Sequence, residues 1–267
     1  MALKSAFGRI GEKFFKRAEE PASPPVAAAI RCHTGRVREE NQDRAGRFKV
    51  PIGELFIVAD GVGGLSSGAK AAEMAVEGYG KFLGSVSRDT DSKIALQRAT
   101  QSVNEAMGNE ILTTQQSMAS TVALALLRHQ TAVVGHAGDS RVYLIRDGRM
   151  SRLTRDHSIV QKMVEHGIIS DAQSRNHPDA SVLTRSLGQR DVELEISETA
   201  LMDGDALLLC SDGLWGYVDE GEIEAIATSS LAGVEETSDQ LLELALKAGG
   251  ADNISIIFLR VPEHPSA

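Results

Sequence analysis

The sequence predicts an α+β fold, a four-layer αββα sandwich in which two antiparallel β-sheets stack face to face with helices flanking them. Three observations predict it. Strand-like segments come in runs instead of alternating one by one with helices. The long helical patterns are inserted in pairs between those runs, an order that places helices outside stacked antiparallel sheets. A chain of 267 residues, 42% hydrophobic and 24% charged, also has ample material for a sizeable core.

In chain order, residues 26–33 and 54–59 read as strands, the second because apolar β-formers run unbroken from Leu55 to Ala59. Two long helical patterns follow at 68–83 and 91–112, with Met74 and Met107 as core or groove filler. Segments 120–127, 132–137 and 141–146 are strands, and Asp147-Gly148 closes the last into a hairpin. His33 and His136 on these strands are expected to be satisfied core or edge histidines. Helices near 158–166 and 170–175 interrupt the strands before 192–199 and 206–210. Helices at 220–228 and 234–248 precede a final strand at 254–261.

Ahead of these elements, Leu3, Phe7, Ile10 and Phe14 recur at helical spacing among Lys4, Arg9, Lys13, Lys16 and Arg17, and three prolines between Glu19 and Pro25 end the pattern. Residues 1–25 are therefore read as a basic amphipathic extension with a proline-rich linker, and residues 26–262 as one domain. Two readings of residues 1–18 stay open: weak contact with an anionic membrane or a partner groove, or a frayed or self-docked terminus.

The formal net charge of -9 argues against a general nucleic-acid binder, which needs a cationic surface to meet the phosphate backbone. Cys32 and Cys210 are spaced for neither a zinc site nor a disulfide framework, so a reducing, cytoplasmic setting is expected. No stretch approaches the roughly 20 apolar residues of a membrane span.

The chemistry concentrates in aspartates at strand ends. Leu55 to Ala59 runs into Asp60-Gly61, Leu207 to Cys210 runs into Ser211-Asp212-Gly213, and Asp252-Asn253 opens the last strand. If that strand runs antiparallel to the other two, the three carboxylates gather at one sheet edge. Two such charges about 4 Å apart repel by roughly 4 kcal/mol at an effective dielectric near 20, so a divalent cation is expected among them. Singly, an Asp-Gly pair is an ordinary turn former, as 147–148 and 203–204 are expected to be.

With the segment GRVREENQDR at 35–44, the chain resembles the metal-dependent serine/threonine protein phosphatases, the PPM or type 2C family, and specifically its single-domain bacterial members. That segment, VADGVGG, the Ser-Thr pair in MASTVALAL, GHAGDSRVYL, LTRDHSIVQKMVEHG, HPDASVLTRSLG, LLLCSDGLWG and ADNISIIFL follow the family's order across about residues 27–261. The resemblance implies that Asp60 bridges two metal ions and that the Gly61 carbonyl helps hold one. It places Asp212 and Asp252 on the first ion and Asp43 on the second, largely through water. Asp139 matches a position that helps hold a third, weaker ion. Oxygen ligands suit two Mn2+ or Mg2+ ions rather than zinc. Arg38 matches the phosphate-binding arginine, whose planar guanidinium grips two oxygens at once. Residues 157–188 match a mobile flap near the metal site.

The implied function is hydrolysis of phosphoserine and phosphothreonine monoesters on proteins by attack of a metal-bridging hydroxide, opposing a cognate serine/threonine kinase in bacterial signalling. The alternative is a catalytically weak regulatory or binding module on the same fold. One departure keeps it open: the histidine that relatives often carry after the Asp-Gly pair or the double glycine is Val62 or Leu65 here. The leaving-group acid is then expected to be a metal-bound water, with His157 or His177 as lesser candidates, and His157 is expected to anchor the segment that follows it. Trp215 is expected to pack behind Asp212. The resemblance further implies a monomer in the cytoplasm, peripheral at the inner membrane face if residues 1–18 make that contact.

Overall fold

The computed structural model describes residues 26–63, 67–229 and 232–262, and the amphipathic pattern of residues 1–18 and Leu65 lie outside them. Two sheets carry the architecture. In the first, β1 (Ala27–His33) pairs with β11 (Ile254–Arg260), which continues through β10 (Ala206–Cys210) and β7 (Arg141–Arg146) to β8 (Arg149–Arg152). In the second, β2 (Asp43–Val50) leads through β3 (Gly53–Gly63), β5 (Val122–Arg128) and β6 (Thr131–Ala137) to β9 (Glu195–Ala200), and the short β4 (Met118–Ser120) extends the end of β3. Every named strand pair is antiparallel.

Three apolar layers fill the spaces between four layers of elements. Phe56 and Val58 of β3 face Leu207, Leu209, Ile257 and Leu259 across the sheet interface. Leu55 and Ile57, one residue out of phase, face α1 (Ser67–Gly84) and α2 (Ser92–Thr114). Leu208, Ile256 and Phe258 face α5 (Asp212–Trp215), α6 (Glu220–Ala227) and α7 (Val234–Lys247). Strands buried on both faces need apolar side chains at every position, which is why β3 and β10 read as unbroken runs instead of alternating patterns. The αββα sandwich is the predicted one.

Local differences have physical reasons. The three strand ends were expected on one sheet edge, yet Asp60 belongs to the second sheet and Asp212 and Asp252 to the first; they meet where the two sheets adjoin. Strand β2 carries Arg44, Arg47 and Lys49, and every residue after Asp43 is half-buried or exposed, the pattern of an edge strand, so hydrophobic runs do not announce it. The expected strand 120–127 is broken at Thr121 into β4 and β5. The segment 192–199 becomes a strand only from Glu195. Asp147 and Gly148 take φ values of 52° and 70°, a hairpin turn as expected.

The glycines after Asp60 and Asp212 serve close packing rather than turns. A Cβ on Gly61 would lie 1.9 Å from the Gly68 carbonyl oxygen at the start of α1, and a Cβ on Gly213 would lie 1.9 Å from the Asn253 carbonyl oxygen. Backbone therefore meets backbone directly behind the two strand ends. Gly213→Ala is expected to destabilise the protein by about 2–3 kcal/mol, because backbone cannot yield as a side chain would. Urea unfolding with an unchanged slope and a lowered midpoint would show it; a midpoint equal to wild type would not fit this packing.

Candidate metal and phosphate site

The site is built on the pairing register. Asp43 opens β2 directly across from Asp60 in the β2–β3 ladder. Asp212 begins α5 just after β10, and Asp252 lies two residues ahead of β11. Because β10 and β11 are antiparallel, the end of one lies beside the start of the other. Asp139 sits in the β6–β7 turn behind Gly138, whose φ of 112° sharpens the bend. Asp60 stands within the fields of Asp43, Asp139, Asp212 and Asp252 together. The fold thus brings all five predicted aspartates and Gly61 to one place.

Asp43 and Asp139 are buried, at 1% and 6% exposure, and Asp60, Asp212 and Asp252 are half-buried at the mouth. Burial, reinforced by the neighbouring acids, pushes Asp43 up to about 7 and Asp212 up to about 6, and raises Asp60 and Asp139 well above the usual carboxylate range. One oxygen each of Asp43 and Asp212 is buried without a hydrogen-bond partner. An orphaned buried carboxylate oxygen is costly unless a cation meets it. Donors that are all oxygen fit a hard divalent ion.

Neighbouring side chains fix the donors' aim, and sequence reasoning missed them. Ser211 Oγ donates to Asp43 Oδ2 at 2.6 Å while accepting from the Ser255 amide at 3.0 Å, so one hydroxyl ties the second sheet's aspartate to the first sheet. Thr121 Oγ1 accepts from the Asp60 amide at 3.0 Å and lies 2.7 Å from Ser140 Oγ, joining Asp60 to the Asp139 turn. Asn253 clamps the loop before β2: its Oδ1 accepts from the Gln42 amide, and its Nδ2 donates to the carbonyls of Thr34 and Glu40. The available signal was position, since Ser211 and Asn253 are polar residues flanking the aspartates inside apolar strand runs.

That clamped loop carries Arg38. Its Nη2 donates to Asp252 Oδ2 at 2.8 Å, and the side chain is otherwise half exposed at the mouth of the acidic cluster. A second arginine is buried behind the site. Arg141 pairs with Asp156 through Nε and Nη2, donates through Nη1 to Tyr143 and Glu220, and lies 3.5 Å over the Trp215 ring. It thereby links the Asp139 turn, the entry to segment 157–188 and the helix that starts at Asp212. Trp215 does pack behind Asp212, under this guanidinium.

The segment 157–188 holds two short helices, α3 (Ile159–Glu165) and α4 (Asp171–Ser174), capped by Ser158 and Ser170. Its far end is pinned by the Ser120–Leu187 backbone bridge beside Gly61, and Arg175 reaches the Val218 carbonyl at 3.3 Å. At its start, His157 Nδ1 accepts from the Gly138 amide and its Nε2 faces Glu195 at 3.1 Å, which makes it an anchor, as expected. His177 Nδ1 accepts from the Asp179 amide within the segment. His136 is buried and bonded to the Arg155 backbone. His136, His157 and Glu195 lie near enough to suggest a further ion site. The two rings, however, stack at 4.5 Å and 4°. Ring lone pairs lie in the ring plane, and two nearly parallel planes do not meet at one ion.

Comparison with known proteins agrees with this geometry. A family model described as Protein phosphatase 2C matches residues 34–247. A serine/threonine phosphatase, stp, of Listeria innocua is 35% identical over 250 residues, covering 87% of this chain and 94% of its own. The serine/threonine phosphatase PstP/Ppp of Mycobacterium tuberculosis superposes with a TM-score of 0.81 at 30% identity, covering 90% of this chain and 99% of that one. A structure of the catalytic domain of PstP in complex with two manganese ions gives a TM-score of 0.80 at 28% identity, covering 89% and 99%.

The raised carboxyls give a signed prediction for the metal-free protein. The fold holds more protons than the unfolded chain between about pH 4, the ordinary carboxylate value, and about pH 7. Stability from this source is fully present below about pH 4 and is lost as pH rises through about 7. Chelator-treated protein is therefore expected to melt several degrees lower at about pH 8 than at about pH 5.5, with manganese restoring the loss at the higher pH. Asp43→Asn should flatten that dependence in a thermal melt. A wild-type melting temperature equal at both pH values would contradict the burial of these charges.

Proposed function

The chain belongs to the protein phosphatase 2C family, and from that premise we propose how its residues divide the work of a metal-dependent protein-serine/threonine phosphatase. The reading rests on one observation: unpartnered carboxylate oxygens of Asp43 and Asp212 converge with Asp60 beside a half-exposed arginine. Asp60, aided by the Gly61 carbonyl, would serve both of two Mn2+ or Mg2+ ions, with Asp212 and Asp252 serving the first and Asp43, aimed by Ser211, the second, and Asp139 with Asp212 would help hold a third, weaker one. When bound, the ions supply Lewis acidity that makes hydroxide available near neutral pH and neutralises phosphate charge.

Arg38 binds the phosphate. With Nη2 engaged by Asp252, its Nε and Nη1 are the donors left to grip phosphate oxygens in the guanidinium plane. Val62, at the position where relatives often carry a histidine, offers no proton, and His157 has both ring nitrogens engaged. Protonation of the leaving serine or threonine oxygen is therefore assigned to water in the site. The substrates are phosphoproteins supplied by a cognate serine/threonine kinase. The protein acts as a monomer in the cytoplasm, with residues 1–18 adding a weak membrane or partner contact; the basic amphipathic pattern supports that contact, and no helix among the described residues is long and apolar enough to cross a membrane. The binding-module reading is not favoured, because a scaffold has no need of five clustered acids.

Manganese-dependent hydrolysis of para-nitrophenyl phosphate and of a phosphothreonine peptide tests the assignment. Asp60→Asn is expected to lower kcat by at least a hundredfold, and equal turnover by wild type and mutant would remove Asp60 from the chemistry. Arg38→Ala is expected to raise KM for the phosphopeptide about tenfold or more while leaving manganese affinity by calorimetry nearly unchanged. Unchanged steady-state kinetics would take Arg38 out of the site.

A further inference from the structure

We propose that Tyr217 is a specificity-determining residue, a fixed aromatic platform at the rim of the site against which the residues flanking the phosphorylated side chain pack, so that phosphosites with apolar neighbours are preferred. The inference rests on the phosphatase reading above. Tyr217 lies in the turn that ends α5, five positions after Asp212. Its side chain is 46% exposed, unusual for a large ring. The one-turn helix that begins at Asp212 carries it to the site, and the phenol stands within electrostatic reach of Asp252, Asp212 and Arg38.

The backbone that bears the ring is also held in place. The amides of Tyr217 and Val218 both donate to the Leu214 carbonyl, and Val218 is buried at 2% exposure. On the other side, Arg175 from the 157–188 segment grips the Val218 carbonyl at 3.3 Å and approaches Asp219 at 3.9 Å. A side chain on so rigid a stub loses little entropy when a ligand covers it. Two further exposed apolar residues adjoin the site in sequence, Val37 beside Arg38 and Val62 beside Gly61. A phosphate drawn into the acidic, arginine-bearing centre leaves its peptide crossing this rim, and a tyrosine supplies a large contact area there with only two side-chain torsions to fix.

The test compares wild type, Tyr217→Ala and Tyr217→Phe on para-nitrophenyl phosphate and on two phosphothreonine peptides whose flanking residues are leucine in one and serine in the other. Wild type is expected to favour the leucine peptide. Tyr217→Ala should raise KM for that peptide about tenfold, abolish the preference and leave para-nitrophenyl phosphate turnover and the melting temperature unchanged. Tyr217→Phe should keep the preference. Equal losses on all three substrates, no loss on any, or a Phe variant as poor as Ala would each overturn the proposal. Wild type inert on all substrates with manganese would instead overturn the phosphatase reading, and the inference with it.

Discussion

The structure is organised around an electrostatic conflict, the burial of several like-charged carboxylates at the junction of two sheets. Each sheet alone presents only part of the cluster. Asp43 and Asp60 face each other across one ladder, Asp212 and Asp252 lie just beyond the adjoining ends of β10 and β11 in the other sheet, and the Ser211 hydroxyl is the short bond between the two pairs. The double-faced apolar packing of β3, β10 and β11 supplies the stability against which this repulsion is set. Remove that packing and the acids would drift apart; keep it and they remain a ready receptor for divalent cations.

Much of this was legible in the amino-acid order, for a definite reason. Strands buried on both faces must be apolar throughout, so an aspartate ending such a run stands out sharply, as Asp60 and Asp212 do. Arg38 and Asp43 were legible only through resemblance, since their loop and edge strand are polar and lack periodicity. Ser211, Thr121 and Asn253 stood inside the family motifs without a role, because their contribution is a hydrogen bond to another segment, and a partner 168 residues away, as for Ser211, leaves no trace in local pattern. The assignment of the three strand ends to a single sheet failed for the same reason: spacing along the chain says which ends are acidic, but not which sheet each strand joins. Tyr217 lies in a turn, where neither periodicity nor charge marks it out.

Rigidity is graded across the molecule. Behind the metal edge, backbone packs on backbone at Gly61 and Gly213, and Arg141 is enclosed by two carboxylates, a phenol and an indole. In front of it, segment 157–188 is made of one- and two-turn helices with exposed side chains, attached by a few bonds at Ser120, Gly138 and Val218. Such a division keeps the charged centre fixed while the front segment is free to vary, since a change there disturbs few buried contacts.

The pairing of β1 with β11 has a further meaning. These strands lie more than 200 residues apart in the chain, and each carries or adjoins a part of the site. During synthesis the second sheet and its helices can assemble early from neighbouring segments, but the first sheet stays open until residues 254–260 emerge. Contacts of such long range are slow to form and come late in folding. Asp252 enters only with that strand, so a nascent chain keeps its acids unassembled and its activity withheld until residues 252–260 have been made and paired.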